Sequence, residues 1–464
     1  MRNPIIIARD KQQSNQLEIK RMSIYRQSKI IEATDEQDQT YYIFFYKDHY
    51  LNYVTPEKTS IRSHVIDSFK KGVTLISPHP LIETVVSPYP HFKKQNSDDL
   101  FKQFLKHHSL QETALIASYF ESFIKKDELT DFIETLFYKE RRDGKLLSCY
   151  RILHILKDIA PNHTIVSNFS RDLQFMRYDE LYKNADAITL ARDPIYMEKR
   201  LYSSKHNDQP FQKLIAIYKE QNRWVDLIAI HITRVVHTQK TDDYHALKSL
   251  VVEHYDDLNM LDVLEDLYAR GLTIKPLQQD LLNCSLEHAK LEDVLTLINK
   301  HKLTLQPFQS QKLINLVKQK GITSGSIPPE ALQKLVLTLF ESKDDQASDI
   351  LHQAVSSLLA DHTLMYIQEW VQPLKDIPLR ESILQKVDEM NLIAEDPNQQ
   401  QRLGELYYYF NQPNKAIECI SFDMELNAED PKPVQWLAKL YHELGMEAEH
   451  KAFQQLYIDM VKRS

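Results

Sequence analysis

The sequence predicts a mainly α fold, in which antiparallel helix pairs stack into a solenoid behind a small β-rich or α/β N-terminal domain. Three observations predict it. Near Ser97 the apolar period changes from about 2 to about 3.6. Beyond that point roughly 20 amphipathic segments of about 10 to 18 residues are joined by short polar links, which set neighbouring helices antiparallel and cannot close one bundle. Glycine is scarce, with only 7 in 464 residues, where average usage gives roughly 30.

Taken in order, Ser28–Thr34, Thr40–Tyr46 and His49–Thr55 are short, β-branched or aromatic runs separated by polar turns such as Asp35–Gln39, a strand and hairpin pattern. A helix is expected over Ser60–Lys71, ending at Gly72, then a strand at Val73–Ser77. Pro80, Pro88 and Pro90 with the polar Lys93–Asn96 read as an exit linker. The expected domains are therefore 1–95 and 97–464, and proteolysis between Ser87 and Asn96 would separate them. The aromatic band Tyr41–Tyr46 reads as the two faces of a packed strand, with a stacking platform for a base or peptide as the alternative.

Ser109-Leu-Gln-Glu112 is a capping box that opens a helix, and Pro328-Pro329 stands where a helix N-terminus tolerates proline. Gly72, Gly144, Gly271 and Gly321 follow periodic stretches, where glycine caps C-termini. Gly445 lies in a turn and Gly325 in a loop; only Gly404 lies inside a helical pattern.

Apolar residues make up 42% and charged residues 26% of the chain, a balance that supports a large core. The net charge of −8 argues against a nucleic-acid surface. Residues 1–96 hold 14 Lys/Arg against 10 Asp/Glu, so this region carries +4 and the remainder −12; a solvated basic face explains that. Cys149, Cys284 and Cys419 are far apart with no C-x-x-C, so reduced, structural thiols in the cytoplasm are expected rather than disulfides or zinc ligands. No apolar run approaches the roughly 20 residues of a membrane span, and the N-terminal isoleucines are too few for a signal peptide.

Phosphate-binding, dinucleotide, nucleophile-elbow and zinc-protease motifs do not occur; Gly321–Gly325 has the wrong spacing for the third of these. His231, His237, His245 and His254 fall within 24 residues beside Asp242, Asp243, Glu253, Asp256 and Asp257. None pairs with another histidine at helical ligand spacing, so no metal site is expected. Asp256-Asp257 point to different faces of a helix, and His107-His108 end one. No cofactor is expected and the chain reads as a non-enzyme.

The last 65 residues carry a closer pattern. Leu403-Gly404-x-x-Tyr407 is followed 34 residues later by Leu437-Ala438-x-x-Tyr441, with Ala416 twelve positions beyond the glycine. This spacing resembles the tetratricopeptide repeat. Leu403, Leu406/Tyr407 and Phe410 form the first helix's apolar stripe; Asn411-Gln412-Pro413 turns the chain; Ala416, Ile417, Ile420 and Met424 form the second. Pro431 opens the next pair, in which Trp436 precedes the leucine. That pair has His450 where the repeat has alanine, so Ala448 or Ala452 is expected to serve. Leu214-x-x-x-Tyr218 before Asn222 suggests a further unit, and Leu282–Leu303 resembles a broader pentatricopeptide-like pair.

The resemblance implies a right-handed solenoid whose groove is lined by first helices. Its groove positions fall on Glu405, Tyr408, Tyr409, Lys439, His442 and Glu443. Glu405 stands where carboxylate-clamp members carry Asn, which argues against capture of an acidic C-terminal tail, whereas the tyrosines suit a protein or peptide partner. The expected function is a protein-interaction scaffold or adaptor. The alternative is a peptide-sensing regulator like the repeat receptors of Gram-positive bacteria, which would need a DNA-binding helix pair or three-helix output at the N-terminus. An enzyme acting through the N-terminal domain is the third reading.

Overall fold

A computed structural model describes residues 4–10, 13–56, 63–183, 193–288, 294–295, 297–298, 305–320, 329–341, 347–374 and 382–463. The chain divides into two compact units, Met1–Leu281 and Leu282–Ser464.

The first unit begins with a seven-stranded sheet: β1 (Ile5–Asp10), β2 (Gln13–Tyr25), β3 (Ser28–Thr34), β4 (Thr40–Tyr46), β5 (His49–Val54), β6 (Val73–Ile76) and β7 (Phe92–Lys93). The order is β5-β4-β3-β2-β1-β7. The 13-residue β2 pairs antiparallel with β3 on one side; on the other it pairs with β1 through Gln13–Glu18 and with β6 through Arg21–Ile24. The sequence reading found β3, β4, β5 and β6 but not β1 or β2. The polar Gln12–Gln16 stretch between their apolar runs hides the β1–β2 hairpin from a period count.

Both faces of β4 are packed. Phe44 lies on Phe120 and Phe123, Phe45 on Tyr50, Tyr89 and Phe92, and the Tyr46 hydroxyl donates to Glu112 at 2.9 Å. The aromatic band is therefore a packed strand and leaves no stacking platform. Residues 5–54 are strands and turns wherever described, not the helix pair that a DNA-binding output needs.

Element type changes between Lys93 and Ser97, but the compact unit does not end there. Ile30, Phe44, Tyr46 and Leu51 of the sheet share one core with Leu100, Phe104, Phe120, Ile133, Leu153 and on to Tyr182. The expected linker is built into this unit. Pro80 is the first residue of a helix, Pro80–Val86, capped by His79. Phe92–Lys93 then pair in parallel with β1. Asn52 Oδ1 accepts from Gln95 N at 2.9 Å, and the Tyr50 hydroxyl donates to the Lys93 carbonyl at 2.8 Å. Pro80 misleads here because it starts a helix rather than extending the chain, while Pro88 and Pro90 lie in the short turn that follows. The helix expected at Ser60 runs His64–Lys71; residues 60–62 lie outside the described set, as do Gly321, Gly325 and most of 289–304.

The helices follow one local grammar. At five joints the amide three residues past a helix reaches back five residues: Lys145 N to Glu140 O, Arg223 N to Tyr218 O, Leu272 N to Leu267 O, Gln412 N to Tyr407 O and Met446 N to Tyr441 O. The residue before each of these amides has positive φ: Gly144 (75°), Asn222 (54°), Gly271 (84°), Asn411 (54°) and Gly445 (71°). This is the Schellman closure, which favours glycine or asparagine because other residues crowd their own carbonyl in the left-handed region.

In the second unit a continuous core runs from Leu282 through Leu313, Leu335, Val355, Trp370 and Val387 to Phe410. Helix Gln400–Tyr409 packs on Pro413–Leu426, and Pro431–Glu443 on Glu447–Arg463. The first pair makes the close approach read from sequence: a Cβ on Gly404 would stand 2.5 Å from Ile420 Cγ1 and 3.2 Å from the Ala416 carbonyl. The second pair departs from expectation. Ala448 and Ala452 are both exposed, and His450 instead faces the neighbouring helix, its Nδ1 2.8 Å from the Ala438 carbonyl. The stacked Tyr441 and Phe453 rings, 5.3 Å between centroids, also join this pair.

Candidate functional site

The six groove positions do not form one patch. Tyr408, Lys439 and Glu443 come together with Trp436. The Tyr408 hydroxyl donates to Glu443 Oε1 at 2.9 Å and its ring meets Trp436 edge-on at 5.5 Å. Lys439 Nζ lies 4.5 Å from the Tyr408 ring centre and 4.8 Å from that of Trp436. The cation-on-ring geometry contributes about 0.5–1 kcal/mol at an exposed site. Helices Gln400–Tyr409 and Pro431–Glu443 open successive pairs, so this is one surface made by two first helices. Tyr408 and Trp436 are half-buried, while Lys439 and Glu443 are exposed.

The other positions lie apart. Tyr409 packs edge-on against His352, 5.0 Å away, under Lys386 Nζ. Glu405 pairs with Arg402, which also binds Glu389. His442 meets the His450 ring at 4.8 Å. Adjacent residues on a helix face directions about 100° apart, which is why Tyr408 and Tyr409 separate.

The histidines singled out in sequence also scatter. His231 packs on Phe211, His237 on His206, and His254 stacks on Trp224 at 4.4 Å. Asp243 pairs with Arg234 and Asp256 caps a helix. No group of three metal-ligating side chains occurs among the described residues. Cys149, Cys284 and Cys419 form no disulfide; burial pushes the thiols of Cys149 and Cys419 up to about 11.

Sequence reasoning missed a cavity of about 590 Å³ in the first unit. Its walls are the β2–β3 turn (Tyr25, Arg26, Gln27), the start of helix His64–Lys71, the residues Gln111–Glu121, and the helices Leu146–Ile159 and Pro194–Ser203. His64 stacks on Tyr119 with ring centres 4.3 Å apart, and its backbone amide donates to Glu121 Oε1 at 2.6 Å. Burial, then Arg26, lower the His64 imidazole to about 3. Burial, with Asp67 and Asp158 nearby, raises the Glu121 carboxyl above its usual range. Ser28 Oγ lies 2.8 Å from His64 Nε2. Ser28 is fully buried and its hydroxyl donates to the Tyr25 carbonyl, so this serine–histidine pair is structural rather than a poised nucleophile.

Behind the cavity four buried charges are matched. Arg223 donates to Glu198 Oε2 at 2.7 Å, Asp226 Oδ1 at 2.9 Å and the Arg26 carbonyl at 2.7 Å; Lys29 Nζ reaches Asp226 Oδ2 at 2.7 Å. Burial opposes charge on Asp226, but Arg223 and Lys29 outweigh it and hold the carboxyl below its usual value. No single sequence window contains this cluster, because Lys29 and Asp226 are 197 positions apart.

No helix among the described residues is long and apolar enough to cross a membrane. No family model matches the chain, and none of the curated proteins matches it. Among solved structures it is similar to "Structure of Naa15/Naa10 bound to HypK-THB", at 12% identity over 79% of this chain and 61% of that one, with a TM-score of 0.20. This chain thus spans about three fifths of that neighbour's length. It is also similar to a circular tandem repeat protein with novel repeat topology and enhanced subunit contact surfaces, at 12% identity over 78% and 74% of the two chains, with a TM-score of 0.11.

Proposed function

We propose that the chain is a cytoplasmic scaffold or adaptor whose helices form a right-handed array of antiparallel, tetratricopeptide-like pairs that hold a partner protein or peptide. It binds rather than catalyses. The observation that carries this reading is the joined surface of Tyr408, Trp436, Lys439 and Glu443, two first helices presenting half-buried rings rimmed by exposed charge. Tyrosine and tryptophan give large contact area at small entropic cost, and such rings within a charged rim are the usual anchors of an interface. The Gly404–Ala416 contact supports the repeat reading, since it supplies the close packing that the 34-residue pattern requires.

Affinity capture with the full chain and with a Tyr408→Ala/Lys439→Ala variant tests this. The proposal expects a saturable partner held by the parent and lost by the variant at unchanged melting temperature. Retention of every captured protein by the variant would refute the assignment of this surface.

A further inference from the structure

The polar side chains of the first unit's cavity fall into two sets. Most are matched: Asp67 with Lys71, Asp158 with Lys199, Arg151 with Asp193, and Glu198 with Arg223. The second set is not. Among the described residues Arg26 Nε and Gln27 Oε1 are buried with no hydrogen-bond partner, and the Arg26 guanidinium lies over the Tyr25 ring at 4.6 Å; the hydroxyls of Tyr25 and Tyr119 make no hydrogen bond either, and all four residues line the cavity. Tyr25, Gln27 and Tyr119 are only 4%, 3% and 3% exposed. Unpartnered polar groups this buried cost free energy unless something else satisfies them.

Arg26, Tyr25 and Tyr119 can donate hydrogen bonds, whereas Gln27 Oε1 is an acceptor. Arg26 has φ 57°, a left-handed conformation unfavourable for a non-glycine residue. Arg223 donating to the Arg26 carbonyl at 2.7 Å and Lys47 N donating to the Gln27 carbonyl at 2.6 Å hold the turn there. The turn that carries Arg26 is thus fixed before any ligand arrives. Glu121 is the complement. Oε1 accepts the His64 amide, Oε2 has no partner among the described residues, and Asp67 and Asp158 add to the negative field around it. Leu115, Ile155, Ile159 and Ile195 supply apolar wall.

We propose that this cavity binds a small zwitterion of the amino-acid or short-peptide class, its carboxylate held by Arg26, Tyr25 and Tyr119 and its ammonium by Glu121. The volume lies within the range of small-molecule sites. A phosphate dianion fits worse, because the lining carries Asp67, Glu121, Asp158, Asp193 and Glu198 against Arg26, Lys71, Arg151 and Lys199. The proposal stands apart from the scaffold reading, which concerns the second unit.

Titration calorimetry on the full chain tests it, with the free L-amino acids, a set of glycyl dipeptides, the C-terminal amides and N-acetyl forms of whichever bind, and inorganic phosphate as the anion control. The expected result is saturable binding of at least one amino acid or dipeptide, weakened about tenfold or more by amidation, by acetylation and by Arg26→Asn, as for a lost charge-assisted bond. Asparagine tolerates positive φ, so this variant keeps the turn. Should Arg26→Asn not fold, Tyr119→Phe removes one donor alone and must weaken binding by itself. Absence of binding by every amino acid and dipeptide, binding of phosphate alone, or affinity indifferent to these substitutions would overturn the proposal.

Discussion

The joints at Asn222 and Asn411 close alike, each with an asparagine at φ 54° and a backbone bond spanning five residues. The residue after the asparagine sets them apart. After Asn222 comes Arg223, buried among Glu198 and Asp226 and bonded to the β2–β3 turn. After Asn411 comes Gln412, which donates to the Ser356 carbonyl at 2.7 Å, while the helices on either side meet at Gly404 and Ala416. One turn chemistry therefore serves two kinds of packing. In the first unit helices join a sheet through a shared apolar core and, at Arg223, through paired buried charges; in the second they join each other through small residues and a continuous apolar core.

The largest effect should come from breaking the charge cluster. Asp226→Ala leaves Lys29 and Arg223 short of a carboxylate in a dry site and should cost about 3–5 kcal/mol, read as a drop in the chemical-denaturation midpoint of the first unit. Replacing Lys29 and Asp226 together by methionine and leucine should cost much less, because no lone charge then remains. Equal losses in the two variants would mean that the cluster contributes packing rather than charge balance.

Acid should act on the same unit. Burial lowers His64 to about 3, and His79 and His231 to about 4. Between those values and the unfolded 6.5, the unfolded chain binds protons that the folded one refuses, so stability is present above pH 6.5 and declines as pH falls. Each group contributes about 1.4 kcal/mol per pH unit over that window. Hydrogen exchange at pH 7 and pH 5.5, corrected for intrinsic rate, should show protection lost around these three residues first. Uniform loss over both units would break the contrast.

A smaller effect is expected at the Gly404 contact. Gly404→Ala pushes a methyl into Ile420 and should destabilise the second unit by about 1–3 kcal/mol. Adding Ile420→Val should return part of that loss. A neutral Gly404→Ala would show that the two helices can slide apart at no cost.

The same contrast explains what was legible in the sequence. Helix pairs whose contacts lie 12 or 16 residues apart, such as Gly404 with Ala416 and Ile420, write their period into the chain. Tyr41–Tyr46 and the Ser109 box were equally local. The β1–β2 hairpin was hidden by a polar connection, and the prolines of 80–90 suggested a linker where a helix and a parallel strand stand. The first unit runs on past residue 95 because sheet residues such as Phe44 are packed by Phe120, some 76 positions on, and no windowed pattern reports that. Groove residues were legible in type but not in company: Tyr408 found Trp436 and Glu443, whereas Tyr409 turned to His352. The cavity was not legible at all, since Arg26, His64, Tyr119 and Glu121 carry no mutual spacing.

The smallest expected change in stability is the most informative for function. Tyr408→Ala with Lys439→Ala removes one exposed hydrogen bond and a cation-on-ring contact, and should move the melting free energy by less than about 1 kcal/mol. The most direct measurement is hydrogen exchange by mass spectrometry on the full chain with and without its captured partner. The scaffold account predicts that new protection falls on helices Gln400–Tyr409 and Pro431–Glu443, on the segments carrying Tyr408 and Lys439, and disappears in the double variant. Protection falling wholly within residues 4–281, with those two helices unchanged, would contradict it.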